Sequence, residues 1–318
     1  MLRLAWVTVG LWGAAVAAFV TACDEASTCT NDADCQRGQI CVASTCSAAT
    51  AATRRGIDMV DIPAGSFSMG CEASEDPDCD PFEQPRHLVT TPRYGIERSE
   101  VSARDFADFL SQQSDNICGA GKCVWTSRDT MPLVSSDDGV TWTPREGLAE
   151  HPMVQVRWHG ADAYCRWRGL ALCSEAQWEK AARGGCELVN GDCATQTRTY
   201  PWGDTPPDCA LAHMEEGVGP GCGTGGTAAV DDKASGASPY GALQMAGNVW
   251  EWVADWYHDS YDGAPADGSA WLAPESSWRV FKGGGGRSDA PFLRAATRGN
   301  GGPDDGNEFR GFRCCTPL

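Results

Sequence analysis

Residues 241–252 read Gly241-Ala242-Leu243-Gln244-Met245-Ala246-Gly247-Asn248-Val249-Trp250-Glu251-Trp252. Two large rings bracket one carboxylate. Read plainly, the tryptophans fill a core and Glu251 pairs with a nearby arginine. Ordered motifs lie on both sides of this stretch. Upstream are Met59-Val60-Asp61-Ile62-Pro63-Ala64-Gly65-Ser66-Phe67, Glu100-Val101-Ser102, His151-Pro152-Met153-Val154-Gln155-Val156, Ala163-Tyr164-Cys165, Leu172-Cys173-Ser174-Glu175-Ala176-Gln177-Trp178-Glu179 and Tyr200-Pro201-Trp202-Gly203. Downstream are Arg279-Val280-Phe281-Lys282-Gly283-Gly284 and Gly311-Phe312-Arg313-Cys314.

Composition bounds what surrounds these motifs. At 318 residues the chain has room for about two domains of ~150 residues. A hydrophobic fraction of 42% and 13 tryptophans exclude global disorder. The charge of -18, from 43 acids against 25 Lys and Arg, argues against a nucleic-acid partner, which needs a basic face. Seventeen cysteines against five histidines point to disulfides in an oxidising compartment. Their odd number calls for one cysteine with another use.

Residues 1–22 supply that use. They are almost wholly apolar, with Arg3 the one charge, and Leu4 to Val20 has the character of a signal-peptide core. Val20-Thr21-Ala22-Cys23 resembles a bacterial lipobox, whose cysteine receives lipid. Ordinary secretion, with Cys23 as one more disulfide partner, is the competing reading. The expectation is a signal peptide at 1–22, lipidation at Cys23, and anchorage to a membrane of the cell envelope, outside the cytoplasm. Residues 23–46 carry a small module, CTNDADCQRGQICVASTC from Cys29 to Cys46. It is too short to bury a core, so two disulfides are expected there, with a zinc knuckle opposed by the missing Cys-x-x-Cys spacing. Residues 47–56 read as a linker and 57–318 as the main domain.

Within that domain three helices are legible. Ser102 to Gln112 places Phe106, Phe109 and Leu110 on one face after Ser102-x-x-Asp105. Gly160 to Trp167 is the second. Ser174 to Arg183 is the third, opened by Ser174-x-x-Gln177 and closed by Gly184-Gly185. Strands read as short and loops dominate. The run Gly283 to Gly286 lacks the Lys-Ser/Thr of a phosphate-binding loop.

Taken together, the motifs from Asp58 to Cys314 resemble the formylglycine-generating enzyme family, also called the sulfatase-modifying factor family. The resemblance implies an α+β, C-type-lectin-like fold with little regular secondary structure. Family oxidases hold copper(I), a soft ion, between two thiolates a few residues after the Lys-Gly-Gly strand. Here that stretch is Gly285 to Arg294, and Ser288 and Leu293 occupy the two thiolate positions. Copper and formylglycine generation are therefore not expected to carry over. The family's iron-dependent sulfoxide synthases use three histidines; His87, His151, His159, His213 and His258 lack the required spacing and read as structural.

The resemblance further implies calcium at Asn248, Val249 and Glu251, since Ca2+ takes about 6–8 oxygen ligands. A second family calcium site does not transfer, because Ala210 to Asp232 is rearranged. The family pairs Cys165 with Cys314, and Cys173–Cys315 suggests itself as a parallel bridge. Cys71–Cys79, Cys118–Cys123, Cys186–Cys193 and Cys209–Cys222 are candidate local closures, though connectivity stays open at this level. A redox or copper role for Cys314-Cys315 is the competing idea. Gly285, Arg287, Ser288, Asp289 and Arg294, with Arg298 nearby, form the candidate ligand groove. The function expected is a non-catalytic lipoprotein that binds a protein or glycan. The alternative is a formylglycine-generating or other nonheme iron or copper oxidoreductase with a relocated metal site.

Overall fold

The computed structural model describes residues 39–42, 45–48 and 56–318, apart from Ser114, Asp138 and 194–197. The signal peptide, Cys23 and the staples expected within Cys29–Cys46 lie outside the described residues. Part of that module is visible as a hairpin, in which Gln39–Val42 pairs antiparallel with Thr45–Ala48 and Cys41 stands opposite Cys46. Its second strand runs through Ser47 and Ala48, the start of the expected linker.

The main domain mixes three short helices with short strands and long loops. Helix α1 (Ala103–Leu110) starts where Ser102 accepts a hydrogen bond from the Asp105 amide. It buries Phe106, Phe109 and Leu110 as the 3.6-residue period requires. Helix α3 (Glu175–Arg183) opens on a complete capping box between Ser174 and Gln177. It closes at Gly184, whose φ of 92° belongs to the region that favours glycine. Helix α2 (Trp158–Trp167) begins earlier than the sequence suggests. Its N-cap, Arg157, makes no side-chain capping bond, so nothing in the sequence marks that start.

Two four-stranded sheets frame the domain. The first runs in the order Ala171–Leu172, Cys314–Cys315, Tyr94–Glu97, Met59–Ile62, all antiparallel. The second runs Arg298–Gly301, Arg279–Lys282, Trp250–Trp256, Arg310–Phe312, and its last pair is parallel. The final strands of the chain thus enter both sheets and tie the C-terminus into the body of the fold.

Six disulfides hold the domain: Cys71–Cys79, Cys118–Cys123, Cys165–Cys314, Cys173–Cys315, Cys186–Cys193 and Cys209–Cys222. Adjacent Cys314 and Cys315 serve different cores because successive strand residues face opposite sides. Cys314 and Cys165 lie with Phe106, Tyr164 and Phe312. Cys315 and Cys173 lie with Ile96, Trp178 and Val253. One strand therefore staples two hydrophobic cores, and neither cysteine of the pair is a free redox centre. Among the described residues, no helix is long and apolar enough to cross a membrane.

Candidate functional site

The 241–252 stretch folds around a buried ion pair. Arg313 Nη2 and Nε donate to Glu251 Oε1 and Oε2, each at 2.7 Å. The other Arg313 donors reach the carbonyls of Glu97, Arg98 and Leu243 at 2.8–3.1 Å. All five guanidinium N–H groups are thereby used. Trp178 Nε1 adds a 2.8 Å bond to Glu251 Oε2. Both partners are 0% exposed, so each depends on the other for its charge.

Asn248 sits beside this pair in the left-handed region, at φ 59°. Its Oδ1 accepts the Ala228 amide at 2.8 Å and its Nδ2 donates to Glu100 Oε1 at 2.9 Å. Glu100 Oε2 is buried with no hydrogen-bond partner. Burial pushes the Glu100 carboxyl up to about 8, with Arg313 opposing and Glu251 adding to the rise. Burial likewise lifts Glu97 to about 7, against the Cys314 amide that it accepts.

At Asn248, Val249 and Glu251, where calcium is the expectation, the side-chain oxygens are already in use. Both Glu251 oxygens already hold Arg313 or Trp178, and the Asn248 oxygen holds a backbone amide. A divalent cation there would meet a guanidinium in place of free oxygens, so the residues as arranged do not fit one.

The stretch after Lys282 turns sharply away. Gly283 and Gly284 have φ of 95° and 72°. A side chain at Gly284 would come within 2.6 Å of Leu293 and 2.8 Å of the Phe292 carbonyl. Ser288 closes the turn: its Oγ accepts the Gly285 amide at 3.0 Å. A short 3-10 helix, Ala290–Leu293, follows and buries Leu293 against Ala212, Met214 and Ala246. Ser288 thus holds a backbone turn, and Leu293 fills a small core.

The turn also divides the expected groove. Gly285 is buried against Phe309 and Trp250, Ser288 is buried, and Asp289 is exposed. Arg287 stands at the rim of a cleft of about 430 Å³, bordered by Thr130, His151, Thr224 to Thr227, Glu308 and Phe309. Its guanidinium pairs with Glu308 at 2.8 Å. Arg294 instead is buried toward another cleft and is held by Glu83 and Asp76. The five residues do not line one groove, because the turn at Ser288 sends its two arms in different directions.

Sequence reading missed most of the wall of the Arg287 cleft. Thr224 to Thr227 lie in the stretch between Cys209 and Cys222 and the next motif, where no pattern announces a surface. His151 did stand in a motif; its Nδ1 lies 2.9 Å from Thr227 Oγ1 and burial lowers its pKa. His213 Nε2 meets the Gly226 carbonyl at 2.9 Å, so two of the histidines brace this loop and the five converge on no common point. The one group of metal-ligating side chains among the described residues is Cys71, Cys79 and Glu83, and its two sulfurs are joined to each other.

The class of protein is now defined: a loop-rich α+β domain, closed by its C-terminal strands around a Glu–Arg pair. Every cysteine from Cys71 onward lies in a disulfide. Residues 45–318 match the sulfatase-modifying factor enzyme 1-like domain, and the chain belongs to that family. It is 34% identical over 299 residues to the formylglycine-generating enzyme of Thermomonospora curvata, covering 82% of this chain and 94% of that protein. It is 30% identical to the Inactive C-alpha-formylglycine-generating enzyme 2 of Mus musculus, covering 81% and 85% of the two chains. Among solved structures it is similar to PvdO from Pseudomonas aeruginosa, with a TM-score of 0.63 and 28% identity over 82% of this chain and 94% of that one.

Proposed function

We propose that this chain is an exported, lipid-anchored member of the family that binds a ligand and does not generate formylglycine. One observation carries the reading. The positions where family oxidases hold copper are Ser288 and Leu293, and no cysteine of the domain is left as a free thiol to replace them. A serine hydroxyl and an isobutyl group are no ligands for a soft cuprous ion. The similarity to a mouse relative named as inactive supports the same conclusion.

The domain then serves as a C-type-lectin-like binding module. The Arg287 cleft, with Thr130, His151 and Glu308 among its polar groups and Phe309 as an apolar floor, is the surface for a protein or glycan ligand. Disulfide density supports an extracytoplasmic location. Lipid on Cys23, followed by a small stapled module, tethers the domain to a membrane of the cell envelope. Incorporation of labelled fatty acid that is lost on Cys23→Ser tests the anchor.

The decisive experiment uses the chain from Asp24 onward, loaded with Cu(I), and a cysteine-containing sulfatase peptide. Copper content and oxygen uptake are measured. We expect neither bound copper nor peptide-dependent uptake. One copper per chain with turnover of the peptide would overturn the proposal in favour of an oxidase with a relocated site.

A further inference from the structure

A second cleft, of about 330 Å³, lies beside the Cys71–Cys79 disulfide. The chain as a whole is strongly acidic, yet Arg86, Arg183, Arg198 and Arg294 all border this one space. We propose that it binds a small ligand through a carboxylate group, held between Arg183 and Arg198. This reading is independent of the Arg287 cleft and of the question of catalysis.

The four arginines fall into two pairs. Arg294 and Arg86 are committed to the wall. Arg294 donates to Glu83 at 2.7 and 3.0 Å and to Asp76 at 2.9 Å. Both terminal nitrogens of Arg86 meet Glu75, at 2.5 and 3.0 Å. These are fork-to-carboxylate pairs that fix the shape of the cleft.

Arg183 and Arg198 are not satisfied in this way. The Arg183 side chain is only 7% exposed, and its one ion pair is to Glu179 at 3.1 Å. Its buried Nε has no hydrogen-bond partner. Glu179 cannot neutralise it fully, because the same carboxylate also holds Lys282 Nζ at 2.9 Å and the Gly70 amide at 2.8 Å. Lys282 also lies 3.7 Å from Glu175, which pairs with Arg298, so two carboxylates face three buried cations. Arg198 has even less: a 3.4 Å bond to the Pro201 carbonyl and no ion pair among the described residues. For buried Arg183 that shortfall is costly, and an anion entering the cleft, met also by half-buried Arg198, relieves it.

The acidic side of the wall narrows the class. Glu75 and Asp76 are consumed by their arginines, but Glu72 also borders the cleft and is in no ion pair. It opposes a second negative charge. A single carboxylate, which matches a guanidinium fork, fits better than a dianionic phosphate. The volume is at the small end of ligand pockets, suited to a compact molecule.

The test titrates the full chain, kept in detergent, with acetate, succinate and inorganic phosphate at constant ionic strength, by calorimetry and thermal unfolding. We expect saturable binding of a carboxylate that raises Tm, and weaker binding of phosphate. Arg198→Ala should raise Kd by roughly tenfold, the worth of one charge-assisted hydrogen bond, with the ligand-free Tm unchanged. Arg183→Lys, which keeps the charge and loses the fork, should also weaken binding. Arg104→Ala, on an exposed ion pair elsewhere, should not. No saturable carboxylate binding, or equal binding by Arg198→Ala, would overturn the site. Phosphate binding tighter than either carboxylate would overturn the assignment of ligand class.

Discussion

Two regions meet at the strand Arg279–Lys282 and follow different rules. On one side lies the Glu251–Arg313–Trp178 cluster, fully buried, with every guanidinium donor used. On the other lies Gly283 to Arg294, a turn and a short 3-10 helix held by the Ser288 hydroxyl, buried Leu293, backbone bonds with residues 215, 221, 247 and 248, and the Arg294 ion pairs. The first region sets which elements meet, since Arg313 alone reaches the carbonyls of residues 97, 98 and 243. Family membership resides in the first, whereas the chemistry of the family's oxidases resides in the second. In this chain the first is present in full, while Ser288 and Leu293 stand in the second.

Breaking the frame should cost most. Cys165–Cys314 closes a sequence separation of 149 and Cys209–Cys222 one of 13. Loop-closure entropy alone gives ~3 kcal/mol for the local bridge and ~5 kcal/mol for the long closure, the latter lost only when the parallel Cys173–Cys315 bridge is removed as well. Replacing both long bridges by alanine, against Cys209–Cys222 alone, and measuring denaturant unfolding should reproduce that order. A larger loss from the local bridge would mean that the variable loops, not the C-terminal strands, hold the domain together.

Next comes the ion pair. Arg313→Met leaves Glu251 buried without its counter-charge and should cost ~3–5 kcal/mol. Ser288→Ala removes the acceptor of one buried amide and should cost ~1–2 kcal/mol. Equal losses in the two variants would erase the distinction drawn between the regions.

How far the sequence reaches follows the same division. The capping boxes, the phenylalanine stripe of α1 and the helix-ending Gly184 are local signals, and α1 and α3 form where those signals place them. The motif series suffices for the family, and the motifs holding Glu100, Trp178, Glu251 and Arg313 meet in the buried frame. The start of α2 has no capping residue to announce it, and it was misplaced. Residues near one another in sequence need not share a surface: a turn closed by Ser288 sends Arg287 and Arg294 to different clefts. Neither Arg183 nor Arg198 carries any local mark of its cleft. The position of Arg183 depends on Glu179, which is shared with Lys282 in a contact that spans 103 residues.

The frame also carries a pH signature that the outer loop lacks. Burial raises Glu97 to about 7 and Glu100 to about 8, above the ordinary carboxylate value. For an acid raised in the folded state, the native form binds more protons than the unfolded chain between the two pKa values. Stability from these groups is complete below the unfolded pKa and is lost as pH rises through 7 to 8. Unfolding free energy should therefore fall between pH 5 and pH 8.5, each group adding a slope of up to about 1.4 kcal/mol per pH unit below its folded-state pKa. Glu97→Gln keeps an acceptor for the Cys314 amide and should flatten the slope. An unchanged slope would place the titrating groups elsewhere.

The smallest expected effect concerns calcium, and it tests whether the frame is complete as it stands. Glu251 gives both oxygens to Arg313 and Trp178, and Asn248 gives its oxygen to the Ala228 amide. For a cation to bind there, Arg313 must leave a carboxylate at 2.7 Å and three backbone carbonyls. Glu100 Oε2 is buried without a hydrogen-bond partner among the described residues, and burial pushes its carboxyl up to about 8. Neither added Ca2+ nor chelation should move Tm measurably. A rise in Tm with millimolar calcium, lost on Asn248→Ala, would show that the ion pair yields to a metal and that the two regions are less separate than the geometry makes them.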